Sequence, residues 1–234
     1  MSITNMDKSH TIVVNVDLIA EEFNNYIIKK EKIVIGINVA QFHKLISTIG
    51  SNESLSLYID NLDYCDGVVS YLTMQFINDE TKQSKTYKLR LIEPDMEEID
   101  YPDVHYSTIL NLPSVDFQKI IRDMSNISEK MEMRLVGNEL MFRCVGQFAS
   151  CEILRVESDN SSNTENPSLH FVEKQDASKV IQGEFSLKNL SYFTKCTPLC
   201  QQIEIYFEND MPLIIKYKVA SLGKFELGLS SLPC

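Results

Sequence analysis

The sequence predicts an α+β protein made of two β-rich halves, each of antiparallel strands accompanied by short amphipathic helices. Three observations carry this. Most of the chain alternates apolar and polar residues with period two, the mark of half-buried strands. Three isolated segments instead space apolar residues at helical intervals. Between the halves lies a proline-bearing stretch of like charge that fits neither pattern. A chain of 234 residues has room for one large domain or for two of about 100–150 residues each.

Taken in order, Ile12, Val14, Val16 and Leu18 share one strand face, with Asn15 and Asp17 opposite. Val13 is an apolar exception on that polar face. The first helical segment follows at Asn38-Val39-Ala40-Gln41, which fits a capping box. Phe42, Leu45, Ile46 and Ile49 form its apolar stripe, and Lys44 stands on the other side. Tyr87, Leu89 and Leu91 then alternate with Lys88 and Arg90. The second helix starts at Pro113-Ser114, where Ser114 is the expected N-cap. Phe117, Ile120, Ile121 and Met124 point inward, and Lys119 and Arg122 outward.

Met131, Met133 and Leu135 alternate with Glu132 and Arg134, and Gly137-Asn138 turns the chain into a strand over residues 140–145. The third helix follows Phe185-Ser186, with Leu187 and Leu190 inward and Lys188 and Lys195 outward. The chain closes on a meander: Ile203, Ile205 and Phe207; a turn at Asn209-Asp210; Leu213, Ile215, Tyr217 and Val219; a turn at Ser221-Leu222-Gly223; then Phe225, Leu227 and Leu229. Such meanders imply sheets with one wet face.

Residues 91–114 hold Glu93, Asp95, Glu97, Glu98, Asp100 and Asp103, no lysine or arginine, and prolines at 94, 102 and 113. Like charges extend a chain and prolines break regular structure, so this reads as a linker. The expected division is residues 1–90, a connector over 91–105, and residues 106–234. A carboxylate cluster for a divalent metal is the alternative, but no glycine-rich turn lies nearby. Residues 158–167 form a polar loop.

Lys and Arg number 22 against 33 Asp and Glu, a net charge of −11. That balance argues against non-specific coating of nucleic acid, since phosphate repels a negative surface. It leaves room for contact through a segregated basic patch, and three helices with lysine outward point to such sorting. No apolar run approaches the ~20 residues needed to cross a bilayer, and the first residues do not form a signal peptide, so no membrane role is expected. The six cysteines show no C-x-x-C pair and read as free thiols. No phosphate loop, nucleophile elbow or zinc-protease motif is present, and the four histidines lie far apart. No catalytic residue, metal site or cofactor is expected.

At three places the wording of the sequence resembles the proliferating cell nuclear antigen family of DNA sliding clamps. They are Met6-Asp7-Lys8-Ser9-His10; residues 87–114 running through Leu112-Pro113-Ser114 to Arg122-Asp123; and Phe193-Thr194-Lys195-Cys196-Thr197-Pro198-Leu199 with Pro212-Leu213 and Tyr217-Lys218-Val219-Ala220. They stand in the family's order and span nearly the whole chain. The resemblance implies the DNA clamp fold: a homotrimeric ring, each protomer two similar domains, sheets outside and helices lining a pore around double-stranded DNA. It implies a processivity factor without enzymatic activity, with DNA polymerase, a clamp loader and other proteins bearing clamp-binding motifs as partners. The nucleus, or a viral replication compartment, is the implied location.

By the same resemblance Lys44, Lys119, Arg122, Lys188 and Lys195 would meet DNA phosphate without reading bases. Met6, His10, Val13, Ile99, Tyr101, Pro102, Met211 and Pro212 would line the partner pocket. Gly228 and Ser230 stand where the family carries bulkier or more apolar residues, which would widen the pocket or make one edge polar. Gly137 replaces the family's ubiquitin-acceptor lysine. The family has a further strand and helix ahead of its M-D-S-S-H motif, so a first domain lacking its N-terminal segment is expected, with an unpaired sheet edge and with Ile12, Val14, Val16 and Leu18 less protected. Alternatives are a subunit of a heterotrimeric checkpoint-like clamp, a paralogue that forms no ring, or a metal-dependent nuclease using the acidic connector.

Overall fold

A computed structural model describes residues 1–94, 105–157, 169–173 and 179–233. The chain forms two compact units, one of Met1–Tyr26 with Ile99–Cys234 and one of Ile27–Glu98. The first 26 residues, expected with the first half, therefore belong with the second. The cause is strand pairing. Strands β1 (Ser2–Met6) and β2 (Ile12–Leu18) form a hairpin, and β2 also pairs along its whole length with the last strand of the chain.

The smaller unit carries α1 (Val39–Ile46), β3 (Ser54–Tyr58), the short pair β4 (Tyr64–Cys65) and β5 (Val68–Val69), β6 (Tyr71–Asn78) and β7 (Gln83–Arg90). Its main sheet has the order β3-β6-β7. Asn38 caps α1, its side chain accepting the Gln41 N–H at 3.1 Å. Phe42, Leu45 and Ile46 of the helix pack on a core of Leu72, Met74, Phe76 and Leu89.

The larger unit adds β8 (Ile109–Pro113), α2 (Ser114–Ser125), β9 (Lys130–Val136), β10 (Glu139–Val145), β11 (Ser150–Val156), β12 (His170–Glu173), β13 (Val180–Ser186), α3 (Leu187–Phe193), β14 (Gln202–Tyr206), β15 (Leu213–Val219) and β16 (Gly223–Leu229). One sheet has the order β1-β2-β16-β15-β14-β8-β12 and a second the order β11-β10-β9-β13. Both contribute to one core. Leu110, Ile205, Ile215 and Leu229 come from the first sheet, Met133, Phe142 and Phe185 from the second, and Phe117, Ile121, Leu190 and Phe193 from the helices. Gly137 turns β9 into β10 with a φ of 59°, which suits a residue without Cβ.

Three expectations change. Ile12 and Val14 are not left unprotected: β1 and β16 flank their strand and both side chains pack on the core. Ser114 does not cap α2; it lies inside the helix, and its hydroxyl donates to the Cys200 carbonyl at 2.6 Å. Lys195 falls beyond α3, in the 3-10 turn Thr194–Leu199 that follows it.

Candidate functional site

Strand register defines the outer face of the larger sheet. Cross-strand partners point to the same side, so the partners of Leu213, Leu229 and Ile12 face the core with them. The next row, Met6, Val13, Gly228, Ile214, Tyr206 and Ile109, must then face outward. Two residues further along, the outward row is Thr4, Asn15, Glu226, Lys216, Glu204 and Asn111. The outer face is thus apolar at one end and charged beyond it.

The charged part is knitted by ion pairs. Lys216 and Lys224 each stand 3.1 Å from Glu226, and Lys218 is 3.0 Å from Glu204. Burial opposes ionisation of Glu226, but the two ammonium groups outweigh it and hold its carboxyl below the ordinary value.

At the apolar end, Met6 and Val13 are half-buried and Gly228 contributes no side chain between Val13 and Ile214. The hairpin turn beside them is shaped by Asp7, whose Oδ1 accepts the N–H groups of Thr11 and Ile12, both at 2.7 Å. His10 occupies the left-handed region at φ 54°, and its Nδ1 lies 2.9 Å from Met6 Sδ. Ser230 follows β16 and donates its N–H to the Thr11 carbonyl at 2.9 Å. Met211 is exposed, and the Pro212 carbonyl accepts the Tyr106 hydroxyl at 2.8 Å.

Met6, His10, Val13, Met211 and Pro212 therefore belong to one end of one sheet. Ile99, Tyr101 and Pro102 lie outside the described residues. Ile214 completes the row and sequence reasoning missed it. The signal was the one that marked Val13: an apolar residue in the outward register of a strand whose next outward residues are Lys216 and Lys218.

Four of the five basic residues sit on α1, α2 and α3, and the fifth just beyond α3. Lys119 and Arg122 are exposed on α2, Lys188 is exposed on α3, and Lys195 is exposed just beyond it with its Nζ 5.0 Å from the Tyr192 ring centre. α2 and α3 share the larger unit's core through Phe117, Ile121, Leu190 and Phe193, which turns their polar sides away from it. Arg122 has Asp123 at 3.6 Å. Lys44 is exposed on α1 of the smaller unit. Among the described residues, no carboxylate lies within 4.0 Å of Lys44, Lys119, Lys188 or Lys195, unlike the sheet lysines. Residues 32–52 and 185–203, which contain α1 and α3, have no aspartate or glutamate at all.

Among the described residues, no group of three histidine, cysteine, aspartate or glutamate side chains could hold a metal ion. No helix of these residues is long and apolar enough to cross a membrane. Asp95, Glu97, Glu98, Asp100 and Asp103 of the acidic stretch lie outside the described residues.

Sheets with helices packed on one face and, in the larger unit, paired charges on the other define a clamp-type scaffold. The N-terminal-domain model of the proliferating cell nuclear antigen family matches residues 1–98, and its C-terminal-domain model matches residues 100–231. A similar curated protein is "Probable DNA polymerase sliding clamp 1" of Paramecium bursaria Chlorella virus 1, 31% identical over 236 aligned positions covering 98% of this chain and 83% of that protein. The chain belongs to the proliferating cell nuclear antigen family, whose members are scaffolds and not enzymes. The N-terminal match starts at residue 1, so the expectation of a first domain lacking its N-terminal segment is not supported.

Proposed function

We propose that three copies of this sliding clamp join head to tail into a ring around duplex DNA, with the helices inward and replication proteins docked on the outer face. The sorting of charge is the observation that supports it most. The sheet lysines are neutralised by adjacent carboxylates, whereas Lys44, Lys119, Lys188 and Lys195 stand exposed without one among the described residues. Arg122 joins them on α2. Unpaired ammonium groups on helices suit sequence-independent contact with phosphate, which holds a protein on DNA without fixing its position.

An internal repeat supports the head-to-tail ring. In the larger unit α3 leads into the meander β14-β15-β16, and the outer edge of β16 takes β2. In the smaller unit α1 leads into the meander β3-β6-β7, where β7 is an edge strand. β11, like β2, is a seven-residue strand at the far side of a hairpin, and it is also an edge. Joining β11 of one copy to β7 of the next repeats the join that β2 and β16 make within the chain. Each copy then offers two different edges, the heterologous arrangement that closes into a ring when the rotation allows.

The apolar end of the outer sheet, with Met6, His10, Val13, Met211 and Pro212, is the proposed dock for DNA polymerase, a clamp loader and other proteins carrying a clamp-binding motif. Ile99, Tyr101 and Pro102 of the connector would complete it. In chain order the domains in this reading are residues 1–90 and 106–234, with residues 91–105 as connector, and the β1–β2 hairpin of the first is incorporated into the sheet of the second. The protein would work where DNA is replicated, in a nucleus or a viral replication compartment.

The mass of the native assembly tests the ring. Light scattering coupled to size exclusion should give about three times the chain mass of 26.8 kDa. A monomer at micromolar concentration, or a trimer formed only with a different chain, would point to the ring-less or heterotrimeric alternative.

A further inference from the structure

The β10–β11 hairpin sets Cys144 and Cys151 directly opposite each other as register partners. Hydrogen bonding along the hairpin shows which kind of pair they form. Gly146 donates to the Ala149 carbonyl at 2.8 Å and Glu157 to the Asn138 carbonyl at 3.0 Å. Hydrogen-bonded pairs alternate along an antiparallel ribbon, so Cys144 and Cys151 are such a pair, with an expected Cα separation of about 5.5 Å. Disulfides span Cα separations of about 4.4–6.8 Å. Both side chains point to one face, and both belong to the same hydrophobic core.

The backbone around the pair has little freedom to move. A Cβ on Gly146 would stand 1.9 Å from the Ile127 carbonyl oxygen, so the hairpin tip is pressed onto the segment after α2. On the other side, β10 is paired to β9 from Glu139 to Arg143. The two cysteines differ in access. Cys144 is buried, and burial pushes its thiol up from the ordinary value; Cys151 is partly exposed on an edge strand.

We propose that Cys144 and Cys151 form a redox-responsive cross-strand dithiol that closes to a disulfide with a low-molecular-weight disulfide such as oxidised glutathione. The Cys151 thiolate attacks one sulfur of the small disulfide, forms a mixed disulfide and releases one thiol. The Cys144 thiol gives its proton to solvent, and its sulfur attacks Cys151 Sγ and expels the second half, which takes up a proton as thiol. Two protein thiols are oxidised to one disulfide and the small disulfide is reduced to two thiols. Reduced glutathione runs the sequence backwards. The closed bond would pin the edge strand β11 to β10. The inference stands whether or not β11 meets a second copy.

Trypsin provides a direct readout, because it cuts after Arg143 and Arg155 and releases Cys144 and Cys151 in one peptide without any other cysteine. The full chain is equilibrated with oxidised and reduced glutathione, blocked with N-ethylmaleimide and digested. The expected peptide has lost two hydrogen atoms and carries neither maleimide nor glutathione, while exposed Cys65 carries one or the other. Cys144→Ser should leave glutathione trapped on Cys151. If that buried substitution prevents folding, Cys151→Ser should leave Cys144 carrying maleimide and no disulfide. A wild-type peptide that keeps glutathione, or that takes up two maleimides under oxidising conditions, overturns the proposal.

Discussion

Val13 on β2 faces Gly228 on β16 directly across the strand pair, on the outer side of the sheet. A side chain meets a position that has none, and Ile214 is the next partner along the row. Gly228 and Ile214 are both buried, so a side chain added at Gly228 must take up space between Val13 and Ile214 on that outer side. Gly228→Val adds bulk at the centre of the apolar row. Its backbone is not in the left-handed region, and valine suits a strand, so the fold should hold. Calorimetry with a peptide carrying the family's aromatic clamp-binding motif should show affinity reduced about tenfold, equivalent to about 1.4 kcal/mol. Unchanged affinity would place partner docking elsewhere.

Ile99 and Tyr101 carry a separate expectation. Replacing either with Asp should abolish binding of the same peptide, because a charge brought into a desolvated apolar contact is costly without a partner. Thermal unfolding of each variant should stay near that of the parent, which distinguishes lost docking from lost fold.

Neutralising Lys44, Lys119, Arg122, Lys188 and Lys195 together should weaken retention on DNA while leaving the fold intact. All five are exposed, and exposed substitutions usually change stability by no more than about 0.5 kcal/mol each. The slope of log affinity against log salt should flatten as phosphate contacts are lost. A variant that retains the parental slope removes these side chains from the DNA-contact set.

Glu208 predicts a pH dependence. Burial opposes its ionisation, but hydrogen bonds from Lys179, from the Ser107 hydroxyl and main chain, and from the Asn209 main chain bring its pKa down from 4.5 to about 2. A carboxyl depressed on folding stabilises the protein above its unfolded value, and that contribution is lost as pH falls from about 4.5 towards 2. Glu208→Gln should cost on the order of 2 kcal/mol at neutral pH, in line with hydrogen bonds to a charged group. It should also reduce the loss of stability between those pH values, read from urea unfolding midpoints at each pH.

What the sequence made legible was local. The Asn38 cap, the apolar stripes of α1 and α2, the turn at Gly137 and the closing meander all follow from neighbours within a few residues. Val13 was visible as an apolar exception in an alternating strand; Ile214 carried the same signal. Ser114 looked like a cap because serine before a helical pattern usually is one, and its actual partner at Cys200 is distant in sequence. Lys195 kept its exposure but left the helix, since Pro198 lies within the turn Thr194–Leu199, where its ring and missing N–H disfavour a continued α-helix. The placement of residues 1–26 was least accessible. Nothing in the periodicity of β2 names β16 as its neighbour, because both strands alternate equally well with any partner.

The pairing of β2 with β16 also sets an order of events during synthesis. The smaller unit is one continuous stretch, Ile27–Glu98, and all its strands have been made before the larger unit is half written. The larger unit waits. Its first hairpin emerges early, yet the strand that covers it spans Gly223–Leu229, about 200 residues further along the chain. Closing so long a loop is slow relative to local helix and hairpin formation. Until it closes, β2 offers an open edge to other nascent chains, and the emergence of β16 becomes the moment at which that exposure can end.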